Sequence, residues 1–373
     1  MMAPVTAHTH YAIAPANGSL ALVDGSLPSV ELPPGQLPDV LAAFEPLIGR
    51  PPYLRLAARI DDEPVLRLHV FDVGDAVPHE AEVPAPLRPA FDRWLAEQRG
   101  APVPRLRAAW ARPGWLAAAE AWTGCELRPH RMWPLSAVLS GVLGGERVFL
   151  KAVFPLFHHE PAITEALAGE HPGAVPEVLR LDHERGWMLM RELRGEVATE
   201  SVPASFAPAV REHARIQRAW SRRTGELLAL GAQDRAQEWP EAELPVTLAH
   251  GDFHGGNVVV DEGRATIFDW SDACVAHPLI DLHTFLFFDV PEADREPFVD
   301  AYAEGWEVPS ALVRSGLEQI APYSCLHQAE SYRAIAAGVE PAERGMFLDD
   351  EREWRERATA ARAEMRPSRD TSP

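Results

Sequence analysis

Between residues 250 and 270 the chain carries His250-Gly251-Asp252, then Asn257, then Asp269-Trp270, with Asp281-Leu282 following. An aspartate five residues before an asparagine, and a second aspartate beyond an intervening hairpin, supplies what moving a phosphoryl group onto a hydroxyl requires. One carboxylate must lie beside the attacking hydroxyl, and hard oxygen ligands must hold Mg²⁺ against phosphate oxygens. Asp252 fits the first role; Asn257 and Asp269 fit the second. Gly251, Gly255 and Gly256 allow backbone and side chains to crowd one small volume.

These residues resemble the signature of the aminoglycoside phosphotransferase and choline kinase superfamily, relatives of protein kinases in which a His-Gly-Asp loop replaces His-Arg-Asp. The resemblance covers roughly residues 107 to 366. It implies an α+β, bilobal protein-kinase-like fold, with a mixed-sheet N-lobe and a mainly helical C-lobe. It also implies ATP or GTP with Mg²⁺ as cofactors, and phosphoryl transfer to a hydroxyl of a small molecule. His250 would brace the catalytic loop and Asp281 would orient it.

The upstream half fits the same reading. In kinases a strand lysine grips the α/β-phosphates and pairs with a helix glutamate. Of the 35 basic residues, 34 are arginine and one is Lys151, within the apolar strand Arg147 to Val153. Drift toward arginine spares lysine only where a compact ammonium and a planar guanidinium are not interchangeable. Lys151 is therefore the expected phosphate-binding and catalytic lysine. Glu160 opens the next helix, on the stripe of Ile163 and Leu167, and is its expected partner; Glu165, on the opposite face, is the runner-up. Trp187 to Leu193 is similar to the hinge strand, which would set the Arg191 carbonyl and the Leu193 amide against the base. No G-x-G-x-x-G loop is present, and Leu135-Ser136-Ala137 would be the nucleotide-facing turn, with Ser136 as its candidate contact.

Several elements must position these groups. Residues 1 to 105 read as an accessory α+β domain, 106 to 194 as the N-lobe, 195 to 366 as the C-lobe and 367 to 373 as a flexible tail. In the first part, Pro52 to Ile60 and Val65 to Val73 flank an Asp-Asp-Glu-Pro turn as a β-hairpin. Helices are predicted over Leu37 to Ile48 and Leu87 to Gln98, the second closed by Arg99 and Gly100. Ala101 to Pro104 reads as a linker, and Trp110 to Trp122 as a leading helix. From residue 131 strands take over: Ala137 to Leu143 and Arg147 to Val153 flank Gly144-Gly145, and a later pair covers Pro176 to Leu181 and Trp187 to Leu193. Helices are expected over 206 to 231, 309 to 336 and 341 to 365, with a strand-rich island at 246 to 270.

The formal charge of -20, from 35 basic and 55 acidic residues, repels phosphate backbones and anionic lipid, so nucleic-acid and membrane-surface binding are not expected. The chain begins MMAPVTAHTH, without a basic segment or long apolar run. Cys125, Cys274 and Cys325 are scattered and lack CxxC spacing. Together these point to a reduced, cytoplasmic protein.

Residues 281 to 330 hold ten acidic and two basic residues, a net of -8, whereas the whole-chain charge would give about -3 over fifty residues. In the resembling superfamily this region lines the acceptor site. The excess points to a cationic, hydroxyl-rich acceptor such as an amino sugar or an aminoglycoside-like antibiotic, with Asp289, Glu292, Asp294 and Glu296 as candidate contacts; an acidic solvated helix surface explains it equally. A metabolic sugar or choline-like kinase is the alternative. Two further classes are weighed. Gly251-Asp252-Phe253-His254-Gly255 matches the opening of dinuclear metallophosphoesterases, but the later Gly-Asp and Gly-Asn-His blocks do not follow. A nucleotide-binding pseudokinase would not need Lys151, Asp252, Asn257 and Asp269 together.

Overall fold

The computed structural model describes residues 7–35, 37–49, 53–197, 203–236 and 243–365. Pro52 and the tail 367–373 lie outside them. The chain packs as two compact units, Met1–Ala152 and Val153–Pro373.

In the first unit, β1 (His8–Ile13), β2 (Ser29–Leu32), β3 (Tyr53–Ile60) and β4 (Val65–Phe71) form a sheet in the order β2-β1-β4-β3. β1 runs parallel to β4, and the other neighbours are antiparallel. The expected hairpin is β3–β4. β1 and β2 were not expected, for a physical reason: His10 stands where an apolar residue would signal a strand. It is buried against His69 of β4, so the pairing hides the period. Helices α1 (Leu37–Ile48) and α2 (Arg88–Gln98) match their expected positions, and Phe91 and Trp94 of α2 pack with Ile13, Leu66, Leu68 and Val70 of the sheet.

The predicted helix at 110 to 122 is a 3₁₀ turn, Ala109–Ala111, followed by α3 (Trp115–Thr123). Three strands then lie side by side: β5 (Leu127–Met132), β6 (Ser136–Leu143) and β7 (Glu146–Val153). β5 begins before the expected strand region because Arg128, Pro129 and Arg131 interrupt its apolar alternation. It lies outermost, where proline is tolerated, and its register with β6 shifts between Pro129 and Arg131. The β6–β7 turn uses Gly144 and Gly145 at φ 61° and 87°, left-handed values that side chains resist.

The second unit opens with α4 (Glu160–Glu170), whose first turn holds Pro161, where no amide is needed. β8 (Val178–Asp182) and β9 (Trp187–Arg191) form an antiparallel hairpin, its turn closed by the Arg185 amide donating to the Asp182 carboxylate at 3.0 Å. The single helix expected at 206 to 231 is two, α5 (Ala207–Trp220) and α6 (Thr224–Ala229). Arg223 turns back over the buried Trp220 ring at 3.9 Å and bonds Glu170 and Glu226, which favours a corner over a continuous helix.

The strand island contains β10 (Thr247–Ala249), β11 (Val258–Asp261) and β12 (Arg264–Ile267), followed by β13 (Cys274–Ala276). β11 and β12 form a hairpin, and β10 pairs antiparallel with β13. Helices α7 (Leu279–Asp289), α8 (Glu296–Trp306), α9 (Ser310–Gly338) and α10 (Arg344–Glu364) complete the unit. The last starts later than expected because Pro341–Glu343 forms a 3₁₀ turn. One core joins Ile163 and Leu167 of α4, Val210 and Trp220 of α5, Leu282 and Phe285 of α7, and Phe298 and Tyr302 of α8. With mainly antiparallel sheets and a run of helices at the C-terminal end, the class is α+β as expected. Among the described residues no helix is long and apolar enough to cross a membrane.

Candidate active site

The loop between β10 and β11 is suspended from the fold by its own backbone. The Asp281 carboxylate, at the start of α7 and fully buried, accepts the His250 amide at 2.8 Å on one oxygen and the Gly251 amide at 2.9 Å on the other. His213 Nε2 and the Gln217 side-chain amide nitrogen Nε2, both on α5, donate to the first oxygen, each at 2.8 Å. The Gln217 carbonyl in turn accepts the Tyr302 hydroxyl at 2.6 Å, and Gln328 of α9 donates to the Gly251 carbonyl at 2.7 Å. A carboxylate without solvent is tolerable only with such partners.

Gly251 sits at φ 84°, and a Cβ there would meet the Asp272 carbonyl at 2.3 Å, so the turn requires glycine on two counts. Two residues on, Phe253 enters the core. Its ring lies 4.1 Å from that of His213 and 5.2 Å from that of Phe285, both stacked. Burying such a side chain contributes roughly 1.5–3 kcal/mol. The loop is thereby pinned on both sides of Asp252, which stays 42% exposed.

Three expected residues are brought together here. The Asn257 side-chain amide donates to the Asp252 carbonyl at 2.9 Å and reaches its carboxylate at 3.4 Å. His250 Nε2 donates to the Phe268 carbonyl at 2.9 Å, and the Phe268 amide donates to the Asn257 carbonyl at 3.0 Å. Phe268 thus carries its neighbour Asp269 to the loop. Asp269 adopts φ 64° and ψ 58°, an uncommon conformation for a non-glycine residue, and Ser271 donates to its carboxylate at 2.7 Å. His250 thus ties the loop to the segment after β12. Burial lowers its pKa, and the neutral ring donates from Nε2 while Nδ1 accepts the Asp252 amide at 3.3 Å.

The donor set suits a hard divalent cation. With its nitrogen committed to Asp252, Asn257 offers a carbonyl oxygen, and Asp269 and Asp252 offer carboxylates. Among the described residues no three His, Cys, Asp or Glu side chains converge as a metal cage. Mg²⁺ held by Asn257 and Asp269 would take its remaining oxygens from phosphate and water, as this ion commonly does.

The electrostatics follow from crowding acids. Burial, with the Asp252, Asp269 and Glu160 carboxylates, pushes Asp272 up to about 8. Burial and Asp252 also raise Asp289, against the Gly255 amide that lowers it. For His254, burial acts to lower the pKa but is outweighed by Asp252, 3.6 Å away, with Asp289 and Asp269, so the net direction is upward. Such concentrated negative potential favours a bound cation.

The other expected residues lie as follows. Glu160 is 1% exposed at the start of α4, which packs on the Trp270–Asp272 turn, whereas Glu165 is exposed. Lys151 is buried on β7. Ser136 opens β6, its hydroxyl accepting the Trp133 indole at 2.8 Å. Arg191 ends β9, its guanidinium on Glu177 and its amide on the Glu177 carbonyl, and Leu193 lies just beyond, half-buried. Asp289 is the one acceptor candidate joined to the loop, accepting the Gly255 amide at 2.6 Å. Glu292 and Asp294 lie exposed on a 3₁₀ turn, and Glu296 pairs with Arg314.

Sequence reasoning missed His213, Gln217 and Gln328. His213 and Gln217 are four apart on the buried face of α5, and two polar residues on an apolar stripe were the available signal. It also missed Tyr332 of α9, whose hydroxyl pKa is raised by burial first and then by the Asp252, Asp350 and Asp272 carboxylates.

No curated protein matches the chain. Among solved structures, it is similar to the macrolide 2'-phosphotransferase of Brachybacterium faecium at 19% identity and a TM-score of 0.47, over 64% of this chain and 98% of that one. A choline/ethanolamine kinase family protein of Mesorhizobium loti gives 19% identity and 0.47, over 66% and 92%. A thermostable mutant of an aminoglycoside phosphotransferase, in ternary complex with ADP and hygromycin B, gives 15% and 0.44, over 69% and 100%. These likenesses are remote, and the chemistry of the site has to be read from its own residues. Over residues 202–323, which carry His250, Asp252, Asn257, Asp269 and Asp281, the chain matches the model of the phosphotransferase enzyme family.

Proposed function

We propose that the protein is a small-molecule O-phosphotransferase with a protein-kinase-like fold, using ATP or GTP and Mg²⁺. The observation that carries this reading is the contact of Asp252 with Asn257 on one loop whose backbone hangs from the buried Asp281, with Asp269 brought beside it by the Phe268–Asn257 bond. The match of residues 202–323 to a phosphotransferase family model supports it.

In this reading Asp252 orients the acceptor hydroxyl and takes its proton as the phosphoryl group arrives. Mg²⁺, when bound, would neutralise charge on the phosphate oxygens, and Asn257 and Asp269 would hold it. Asp281, His250, Gln217 and Gln328 do no chemistry; they fix the loop so that Asp252 needs no reorganisation during transfer. Lys151 is assigned to the phosphates, Glu160 to orienting it, and the segment around Ser136, with the Arg191 carbonyl and Leu193 amide, to the nucleotide. The acceptor is a hydroxyl-bearing small molecule, and its class is assigned as cationic because of the acids around Asp252. An amino sugar or an aminoglycoside-like antibiotic fits, which would make the role one of antibiotic resistance; a choline-like amino alcohol or a metabolic sugar is the alternative.

The test is a nucleotide-dependent phosphorylation screen over aminoglycosides, peptide antibiotics, amino sugars and choline, read by mass shift of the acceptor. Asp252→Ala should lower turnover by at least about 10²-fold while the nucleotide still raises the melting temperature. Turnover retained in that variant would remove Asp252 from the chemistry.

A further inference from the structure

The first unit holds a site that phosphoryl transfer leaves unused. A cavity of about 320 Å³ lies among α1, α3, the start of β5 and the aromatic ends of β3 and β4. Small-molecule sites commonly measure roughly 300–1,000 Å³. Leu41, Phe44 and Ile48 of α1, Leu116 of α3, and Tyr53 and Phe71 of the sheet supply its apolar lining.

The aromatic part is rigidly built. The Phe71 ring meets Tyr53 at 5.3 Å and Phe44 at 6.2 Å, both edge-on. Tyr53 is 2% exposed and ends a buried polar chain: its hydroxyl lies 3.1 Å from His69 Nδ1, and His69 Nε2 lies 2.9 Å from His10 Nδ1. Burial holds both imidazoles neutral, His69 at about 3 and His10 at about 4. A neutral ring donates once and accepts once. When the chain runs from His10 toward Tyr53, the phenol accepts from His69 and its own O–H remains to donate elsewhere. The hydrogen-bonded chain fixes Tyr53, which lines the cavity together with charged side chains.

The charged lining has one sign in excess, with Glu45, Glu120 and Glu126 against Arg128. Glu126 lies 3.8 Å from Arg128. Glu120 accepts the Leu127 amide on one oxygen at 3.0 Å, which fixes the carboxylate in place at the cavity. An anion entering here would meet like charge, whereas a cation gains a positioned counter-charge.

We propose that this cavity is a second ligand site, binding a small amphipathic amine whose apolar or aromatic body fills the pocket while its ammonium group pairs with Glu120. The proposal is independent of the phosphotransferase reading, since every lining residue lies within 38–129 and outside the family match.

The experiment uses the full chain with 1-adamantylamine and phenethylamine, against adamantane-1-carboxylate and phenylacetate as anionic counterparts of like shape, followed by calorimetry and thermal shift. The amines should bind saturably and raise the melting temperature, while the carboxylates should do neither. Glu120→Gln keeps an acceptor for the Leu127 amide and removes only the charge, so amine affinity should fall about tenfold, with phosphorylation of any acceptor unchanged. Leu41→Trp should fill the cavity and abolish binding; if it does not fold, Glu120→Gln decides alone. Absence of saturable amine binding, equal binding of the carboxylates, or unchanged affinity in either folded variant would overturn the site.

Discussion

Asp281 and Gly251 are joined at 2.9 Å, carboxylate to backbone amide, and the same carboxylate holds the preceding amide and the His213 ring at 2.8 Å. Asp281→Ala should therefore be costly twice over. It removes the acceptor of two backbone amides, the Gln217 side-chain amide and an imidazole in a dry interior, a loss of about 3–5 kcal/mol by analogy with broken buried pairs. Turnover should collapse with it. Asp252→Asn, at a half-exposed position, should lose turnover while chemical denaturation stays within about 0.5 kcal/mol of the parent. Urea unfolding of the two variants side by side checks the contrast; equal stabilities would mean that Asp281 does not carry the loop.

Asn257 has two engagements, the Asp252 carbonyl through its nitrogen and, in our reading, Mg²⁺ through its oxygen. Asn257→Ala should raise the Mg²⁺ concentration needed for half-maximal rate and lower kcat, while excess Mg²⁺ restores part of the rate. Chelation by EDTA should stop the parent enzyme reversibly. A rate that is depressed equally at all Mg²⁺ concentrations would leave Asn257 a bracing role only.

The loop was legible because the resemblance expects Asp252, Asn257 and Asp269 at fixed intervals, and a motif of fixed residue types at fixed spacing can be read along the chain. What suspends the loop was less legible, because support comes from any side chain with the right hydrogen bond, at any distance along the chain. His213 and Gln217 precede the loop by more than thirty residues, and Gln328 follows by more than seventy. The hairpins β6–β7, with its Gly144-Gly145 turn, and β3–β4, with its Asp-Asp-Glu-Pro turn, could be read from local pattern. β1 could not, because its partner β4 begins at Val65, far along the sequence, and its buried polar residue is satisfied only by that partner.

Asp289 and Glu296 separate two roles that sequence charge alone merged. Asp289 accepts the Gly255 amide within the loop between β10 and β11, whereas Glu296 is exposed and engaged by Arg314. Asp289→Ala should lower kcat with any acceptor, since the loop loses a support. Glu296→Gln should change neither kcat nor the acceptor KM by more than about twofold, because exposed ion pairs contribute about 0–1 kcal/mol. A raised acceptor KM in Glu296→Gln would place the acceptor across the 3₁₀ turn after all.

The first unit should be acid-sensitive. Burial holds His69 at about 3 and His10 at about 4, below the usual 6.5. An unfolded chain binds protons at these residues below pH 6.5 while the folded one does not, so stability is fully present above that pH and declines as pH falls toward 4. His69→Gln retains hydrogen bonding without a titrating ring and should flatten this decline. Melting curves between pH 4 and 8 provide the check; parallel profiles for parent and variant would mean that other groups set the acid limb.

Lys151 is the one lysine among 35 basic residues, and it is buried on β7. A surface lysine in a chain that otherwise uses arginine could be replaced without consequence, whereas a lysine that grips phosphate as a compact point charge could not. Arginine keeps the charge but spreads it over a planar fork that needs more room and presents its donors in a fixed geometry. Lys151→Arg should therefore fold, and its kcat/KM for nucleotide should fall by at least about tenfold, the equivalent of 1.4 kcal/mol. Lys151→Met, similar in shape and uncharged, should fall further. If Lys151→Arg turns over normally, the surviving lysine marks no phosphate contact, and the charge on the nucleotide must be met by another residue.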